Sequence, residues 1–232
     1  MHTLIVSALR DEVKNCLELI SQDCIIHLKN SLLLRGTCRG KTIGFLITGI
    51  GETRAYNALE QALALGVPKE LLLVGYAGGA SPLVRTGHLV VAEGIIDSQS
   101  GERYATDTES VKSAQAICKK EGLSFHSGKI LGVNKIVQST HEKAALGTEY
   151  SVLGLEMESA AIAKIAKKHH LPWLVVKGIL DGIELELPDL QSCISGEGET
   201  KPVAALQHFM KRPGDVMKLP QLQVCALLCP PF

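Results

Sequence analysis

The chain has 232 residues, of which 46% are hydrophobic, so it can bury a sizeable core and is not an intrinsically disordered chain. Its 24 Lys and Arg residues balance its 24 Asp and Glu residues, which gives a formal net charge of zero. This balance argues against nucleic acid or an acidic membrane surface as the partner, because both attract a basic excess. It favours a small molecule that is recognised locally.

The cysteines and the apolar runs predict the cellular compartment of the protein. Its 7 cysteines are scattered and show no zinc-ligand spacing, so we expect reduced thiols, no metal and no cofactor. The N-terminal stretch Met1–Arg10 is too short and too polar for a signal peptide, and no apolar run approaches the roughly 18 residues of a membrane span. We therefore expect a cytoplasmic protein with no membrane span.

The first third of the chain alternates short apolar runs with turns and amphipathic stretches. Apolar runs of four to eight residues predict strands, and apolar residues repeating at helical spacing predict helices. In chain order, the predicted elements are a strand over Leu4–Leu9, a helix over about Asp11–Ser21, strands over Cys24–Lys29, Ser31–Thr37 and Ile43–Thr48, a helix over about Glu52–Leu65 and a strand over Glu70–Val74.

The remainder continues the alternation of strands and helices. Gly122 and Pro172 stand just beyond two of the helical stretches, in the positions that commonly end a helix. The predicted elements are a strand over His88–Ile96, a helix over Ser110–Glu121, a strand over Lys129–Val133, a short helix over His141–Leu146, a strand over Val152–Leu155, a helix over Glu158–His170, a strand over Trp173–Leu180 and a final helix from near Pro202 to Met210.

The order of these elements predicts the fold class. Strands that alternate with helices favour an α/β fold with a mostly parallel or mixed central sheet and helices on both faces. No linker, internal repeat or low-complexity segment divides the sequence. Residues 1–232 are therefore predicted to form a single domain.

Unusual residues stand at the predicted strand ends, where ligands bind in open α/β sheets. Glu12 and Asp181 follow the first and the last core strand. Glycine-rich turns are predicted at Gly49–Gly51 and Ala77–Gly79, and such turns serve either as ordinary tight turns or as places where backbone approaches a ligand.

Carboxylates at two of these ends allow both a structural and a functional interpretation. Glu158 sits near a helix N-terminus, where the macrodipole favours a negative charge, but a carboxylate there could equally bind a vicinal diol. Glu156 lies two residues before it. Asp181 is either a turn former or an acid whose raised pKa keeps a proton near neutral pH.

Six short motifs occur in one order along the chain. They are Val6–Val13 (VSALRDEV), Thr48–Gly51 (TGIG), Ala77–Gly79 (AGG), Gly87–Val91 (GHLVV), Leu155–Ser159 (LEMES) and Leu171–Asp181 (LPWLVVKGILD). This ordered set, which covers roughly residues 1–185, resembles the nucleoside phosphorylase superfamily. The likeness is greatest to its 5′-methylthioadenosine/S-adenosylhomocysteine nucleosidase branch.

The resemblance implies a catalytic pair and a set of substrate contacts. Asp181 is expected to protonate purine N7, which makes adenine a neutral leaving group, and Glu12 to activate the attacking water. Glu158 and Met157 are expected to hold the ribose, with the Glu158 carboxylate on its 2′ and 3′ hydroxyls. The full set of expected substrate-binding residues is Ile50, Gly78, Gly79, Ile136, Val137, Glu156, Met157 and Glu158.

Two residues depart from the family pattern. Leu180 stands where the family usually has a serine, so one hydrogen bond that positions the catalytic aspartate is expected to be missing. Tyr76 replaces a small residue near the expected water site. Family members usually form dimers or larger assemblies, so the resemblance also implies a homodimer.

Later segments are similar to the hopanoid-associated branch of the superfamily, whose members act on adenosylhopane and release adenine. This second resemblance bears on the 5′ substituent of the nucleoside. The segments are Ser139–Leu146 (STHEKAAL), Glu186–Leu190 (ELPDL), the predicted helix Ala204–Met210 and Lys211–Gly214 (KRPG).

The leading interpretation is thus a hydrolytic nucleosidase that acts on a 5′-substituted adenosine. A purine nucleoside phosphorylase is the nearest alternative, but it needs cations for phosphate, and the first strand end offers only Arg10. A non-catalytic nucleoside-binding protein on the same fold is the third reading, favoured by Leu180 and Tyr76. The joint presence of Glu12, Glu158 and Asp181 argues against it.

Overall fold

The computed structural model describes residues 1–184 as one mixed sheet with helices packed around it. The predicted final helix and the tail segments from Glu186 onward lie outside the described residues. The elements are β1 (Thr3–Ser7), a 3-10 turn (Arg10–Val13), α1 (Lys14–Leu17), β2 (Ser21–Leu28), β3 (Ser31–Cys38), β4 (Lys41–Ile47), α2 (Glu52–Ala64), β5 (Glu70–Gly79), β6 (Leu89–Asp97), β7 (Arg103–Ala105), α3 (Thr108–Lys120), β8 (Phe125–Gly132), α4 (Thr140–Tyr150), β9 (Gly154–Glu156), α5 (Ser159–Lys168) and β10 (Trp173–Asp181).

The sheet closes on itself at one end. Its strands follow the order β10-β6-β8-β9-β5-β1-β4-β3-β2, and β10 also pairs with β5, so β10, β6, β8, β9 and β5 form a ring. β1 pairs in parallel with β4 and β5, and β5 with β10, whereas the β2–β3, β3–β4 and β6–β10 pairs are antiparallel. The α/β class and the mixed sheet are confirmed.

Helices cover both faces of the sheet, as predicted. Alternate side chains of a strand point to opposite faces, so Leu71 and Leu73 of β5 pack with α2 and α5, while Leu72 and Val74 pack with α1 and α3. The strands in the middle of the sheet are buried on both sides. This burial explains why their sequences are continuous apolar runs rather than alternating ones.

Two local predictions are wrong. The helix predicted over Asp11–Ser21 is only a 3-10 turn followed by the four-residue α1, because the Glu12 side chain turns back to the Leu9 amide and β2 starts at Ser21. The glycine-rich turn predicted at Ala77–Gly79 is part of β5. Hydrogen bonding to β10 continues along these residues, and β9 pairs with the last two, so the strand does not end at Val74.

The helix α4 packs against the end of β5 at very short range. Ser139 caps α4 by accepting a hydrogen bond from the Glu142 amide. Gly147 lies so close to the strand end that a Cβ atom there would stand 1.7 Å from the carbonyl oxygen of Ala80. The absence of a side chain at Gly147 therefore sets how near α4 comes to the carboxyl end of the sheet.

Replacing Gly147 with alanine is expected to destabilise the protein. In an exposed helix this change stabilises by about 1 kcal/mol, but here the added methyl group overlaps rigid backbone, so we expect a loss of about 1–3 kcal/mol. Chemical denaturation would measure it, with the exposed Glu149→Ala as control, expected to change stability by less than about 0.5 kcal/mol. A Gly147→Ala protein at least as stable as the wild type would contradict the packing described.

Candidate functional site

One cavity collects the residues predicted for the site. It lies where the carboxyl ends of β1, β5, β8, β9 and β10 converge, which is the edge that the sequence indicated. Every predicted site residue lines it except Gly79, which is buried behind it and pairs with Gly154. The predicted residues that line the cavity are Glu12, Ile50, Gly78, Ile136, Val137, Glu156, Met157, Glu158 and Asp181.

Glu12 is buried in the 3-10 turn after β1 and is held by three donors. Its Oε2 atom accepts hydrogen bonds from the Ser7 hydroxyl at 2.6 Å and the Leu9 amide at 2.9 Å. Its Oε1 atom accepts from the Tyr76 amide at 3.3 Å. The carboxylate is therefore fixed as an acceptor at the cavity wall, with its donors drawn from β1, its turn and β5.

Gly75 makes room for this carboxylate. Its φ of +144° lies in a region that residues with side chains rarely adopt, and a Cβ atom there would lie 2.8 Å from Glu12 Oε1. Gly75 in β5 thus allows the close approach of a side chain.

Glu158 connects two helix N-termini across the cavity. It is the N-cap residue of α5, yet its side chain makes no capping hydrogen bond; instead, Oε1 accepts one from the Gly51 amide, at the start of α2, at 2.8 Å. Burial raises the pKa of Glu158 to about 7, and the Glu156 and Glu12 carboxylates add to the rise, although Lys177 and the Gly51 amide oppose it. Glu158 stands at the N-terminus of α5, where the macrodipole favours its charge, and it also lines the cavity, so the structure fits both interpretations.

Glu156 rather than Glu158 satisfies the start of α5. Its carboxylate accepts from the Glu158 amide at 3.1 Å, from the Ser159 amide at 3.0 Å and from the Ser159 hydroxyl. It also pairs with Lys177, whose Nζ atom lies 3.1 Å from Oε2. With these contacts made, Glu156 anchors the wall of the cavity although it also lines it.

Lys177 is a buried cation beneath these carboxylates. Its side chain is 1% exposed, and its Nζ atom also lies 3.8 Å from Glu158 Oε2. Burial by itself would lower the pKa of Lys177, but the Glu156, Glu158 and Glu12 carboxylates raise it overall, so the side chain is an ammonium. This positive charge offsets the repulsion among three neighbouring acids.

Asp181 ends β10 and is paired with a second buried lysine. Its Oδ2 atom lies 2.7 Å from Nζ of Lys143, whose side chain is 0% exposed. Lys143 also donates to the Gly182 carbonyl at 3.2 Å. Burial raises the pKa of Asp181 above its ordinary value, and the adjoining ammonium only partly opposes this.

The two lysines are the site residues that sequence reasoning missed. Lys177 is the one charge in the apolar run that forms β10, and that isolation was the available signal. The signal for Lys143 was weaker, because it stands on a helix with little apolar periodicity. In the structure, Lys143 and Gly147, one turn apart, are the buried positions of α4. Within residues 1–184, no group of three or more His, Cys, Asp or Glu side chains is placed to hold a metal ion.

The chain matches a known family over most of its length. A family model described as the phosphorylase superfamily matches residues 3–200. A 5′-methylthioadenosine/S-adenosylhomocysteine nucleosidase of Haemophilus influenzae is 25% identical over 194 residues, covering 77% of this chain and 84% of the relative. A DeoD-type purine nucleoside phosphorylase of Streptococcus pneumoniae is 26% identical over 170 residues, covering 69% of this chain and 72% of the relative.

Solved structures share the fold at lower identity. The 5′-methylthioadenosine/S-adenosylhomocysteine nucleosidase of Neisseria meningitidis, solved with methylthio-immucillin-A, superposes with a TM-score of 0.80 at 17% identity and covers 98% of both chains. The futalosine hydrolase of Helicobacter pylori superposes with a TM-score of 0.78 at 20% identity, covering 98% of this chain and 95% of the hydrolase.

Neutralising Glu156 is expected to destabilise the protein strongly. Glu156→Gln removes the nearer partner of a buried ammonium, a change that typically costs about 3–5 kcal/mol. Urea denaturation would measure the loss. The matched control is Glu109→Gln, which breaks the exposed pair with Lys112 and should change stability by less than about 1 kcal/mol. Equal effects of the two variants would show that Glu156 is not the anchor.

Proposed function

The chain belongs to the phosphorylase superfamily, and we propose that within it the protein is a nucleosidase, which hydrolyses the N-glycosidic bond of a purine nucleoside. The proposed substrate is a 5′-substituted adenosine of the methylthioadenosine, adenosylhomocysteine or adenosylhopane type, and adenine is released. The observation that carries the proposal is that two buried carboxyl groups with different surroundings, Glu12 and Asp181, line one cavity.

Asp181 is the proposed acid. A purine leaves poorly as an anion, so N7 must gain a proton as the glycosidic bond breaks. Burial that raises the pKa of Asp181 favours the protonated form that can give this proton. The proton passes from the carboxyl to N7, and the sugar becomes cationic at its anomeric carbon.

Glu12 is the proposed base. Its three hydrogen bonds hold the carboxylate at the cavity wall, where it can accept a proton from water. Water that loses its proton to Glu12 adds to the cationic sugar and gives the free sugar as product. One acid and one base in different environments are what this two-proton chemistry needs.

The remaining predicted residues are proposed to bind the substrate. Glu158, which faces the cavity without capping its helix, accepts hydrogen bonds from the ribose hydroxyls, beside Met157. Ile136 and Val137 pack on the base. Gly78 and Ile50 line the space beside the sugar, while Glu156 acts by holding the Glu158 segment in place.

A purine nucleoside phosphorylase is the alternative, and the Streptococcus pneumoniae relative favours it. Phosphate needs positive charge at the nucleophile position, whereas Glu12 would repel it. Lys143, one of two lysines that line the described cavity, is bonded to Asp181, and the other, Lys135, pairs with Glu142. These contacts support water over phosphate.

The cellular compartment, the oligomeric state and the lack of a cofactor are also proposals. We expect a cytoplasmic homodimer that needs no cofactor, as the sequence and the family resemblance indicated. Within residues 1–184 no helix has both the length and the apolar character needed to cross a membrane. Light scattering of the full chain would test the dimer.

Adenine release without phosphate is the decisive test. In phosphate-free buffer made with ¹⁸O-labelled water, we expect adenine from 5′-methylthioadenosine or another 5′-substituted adenosine, and a free sugar carrying the label at its anomeric carbon. Asp181→Asn should lower turnover by about 10²–10⁴-fold, because it cannot supply the proton, and Glu12→Gln should abolish most turnover while nucleoside still binds. Strict phosphate dependence with a sugar 1-phosphate product would overturn the hydrolase. Binding without turnover by the wild type would leave a nucleoside-binding protein.

The ribose role of Glu158 predicts a pH dependence of binding. The pKa of Glu158 is about 7, so the carboxylate that accepts from both hydroxyls predominates above that pH and is lost below it. In the Asp181→Asn background, where turnover is slow, the affinity for methylthioadenosine relative to adenine should fall about tenfold from pH 8 to pH 6.

Free adenine is the internal control for this measurement, because it lacks the ribose. Adding Glu158→Gln should make the affinity ratio low and independent of pH in calorimetric titrations. A ratio that is the same at both pH values and unchanged by Glu158→Gln would remove Glu158 from ribose binding.

A further inference from the structure

The residue before Asp181 cannot position that carboxyl group. Leu180 lines the cavity with a hydrocarbon side chain, so this side chain offers no hydrogen bond to the neighbouring carboxyl group. An acid that must meet one ring nitrogen needs a fixed orientation, since proton transfer depends on close geometry.

A different element supplies a donor to the same carboxyl. Lys143, on α4, reaches Asp181 Oδ2 at 2.7 Å and the Gly182 carbonyl at 3.2 Å, so its ammonium bridges the end of β10 and the residue after it. Both side chains of the pair are almost completely buried, at 0% and 7% exposure, and both lie at the cavity.

The fold holds this lysine in place independently of the ion pair. The Ser139 cap fixes the start of α4, and the contact of Gly147 with the Ala80 carbonyl fixes the helix one turn beyond Lys143. A long flexible side chain is thereby anchored at its backbone, and burial along its length restricts it further. Such restraint is what lets a lysine orient another group.

We infer that Lys143 is the positioning residue for Asp181, taking over from α4 the hydrogen bond that Leu180 cannot make. The inference rests on the proposed function. Lys143 holds Oδ2 by donating a hydrogen bond to it, so Oδ1 is the oxygen that delivers the proton to purine N7. Asp181 then regains a proton from solvent after adenine leaves.

The charges around Asp181 give this arrangement a signature in pH. In the described part of the chain, the groups that act on its titration are Lys143, which lowers the pKa, and Glu184, which raises it, together with burial, which raises it most. Removing the ammonium takes away the largest influence that opposes burial. The pKa of Asp181 then rises, and the alkaline limb of the activity profile, where the acid loses its proton, moves to higher pH.

The test compares Lys143→Met and Lys143→Gln with the wild type of the full chain, using adenine release from methylthioadenosine between pH 5 and pH 10. Lys143→Met removes the donor and the charge, and should lower kcat by about 10–100-fold and move the alkaline limb upward by about one pH unit or more. Lys143→Gln keeps a hydrogen-bond donor but removes the charge. It should therefore move the alkaline limb by a similar amount, while its kcat should fall less than that of Lys143→Met. The control Lys112→Met removes an exposed lysine and should change neither.

A double-mutant cycle separates positioning from general damage. In the Asp181→Asn background, Lys143→Met should cause almost no further loss of kcat, because the group through which it acts is gone. Independent, multiplying losses would overturn the inference, as would an active wild type whose Lys143 variants keep both kcat and the alkaline limb. A wild type that releases no adenine from any nucleoside would instead overturn the proposed function itself. Thermal unfolding of each variant confirms that the losses are measured on folded protein.

Discussion

The buried ammonium of Lys177 is the interaction on which the rest of the site depends. Three acids, Glu12, Glu156 and Glu158, surround it at the closed end of the sheet. Burying one charge costs several kcal/mol, and burying like charges together costs more, unless opposite charge and hydrogen bonds compensate. Without a cation at this position the acids would be driven to take up protons or to move into solvent. A single lysine on β10 therefore lets β1, β9 and β10 end at the same place.

Lys177 and the neighbouring hydrogen bonds compensate the charges of Glu156 and Glu158 to different extents. Glu156 lies nearer the ammonium and accepts backbone hydrogen bonds from the start of α5, whereas Glu158 lies farther away and keeps a pKa of about 7. One acid thereby holds the start of α5, whereas the other accepts a hydrogen bond from the Gly51 amide and lines the cavity. The carboxylates of Glu156 and Glu158 are only two residues apart in sequence. Their surroundings differ because they lie at different distances from the Nζ atom of Lys177.

A second buried lysine, Lys143, compensates the charge of Asp181 in the same way. Lys143 and Asp181 form an almost completely buried pair, and the helix that carries the lysine is held by a serine cap and a glycine contact. Gly75 and Gly147 thus have equivalent roles, because each leaves out a side chain where a functional group or a helix must come close. The cavity combines buried charged groups with close backbone contacts that fix the elements carrying them.

The sequence by itself determined the order of the elements other than β7 and the mixed α/β class, and the family resemblance added half of the residues that line the cavity. Those features depend on local patterns: apolar runs mark strands buried on both faces, and Glu12 and Asp181 are recognisable because they follow such runs. Only the tertiary structure decided the roles of Lys143 and Lys177, the interruption of the helix predicted after β1, and the continuation of β5 through its glycines. Each of these depends on groups far apart in the chain, such as the 38 residues between Lys143 and Asp181 or the 64 between Glu12 and Tyr76. A local sequence pattern does not reveal such partners, because the free energy of a buried charge depends on the groups that the fold places beside it.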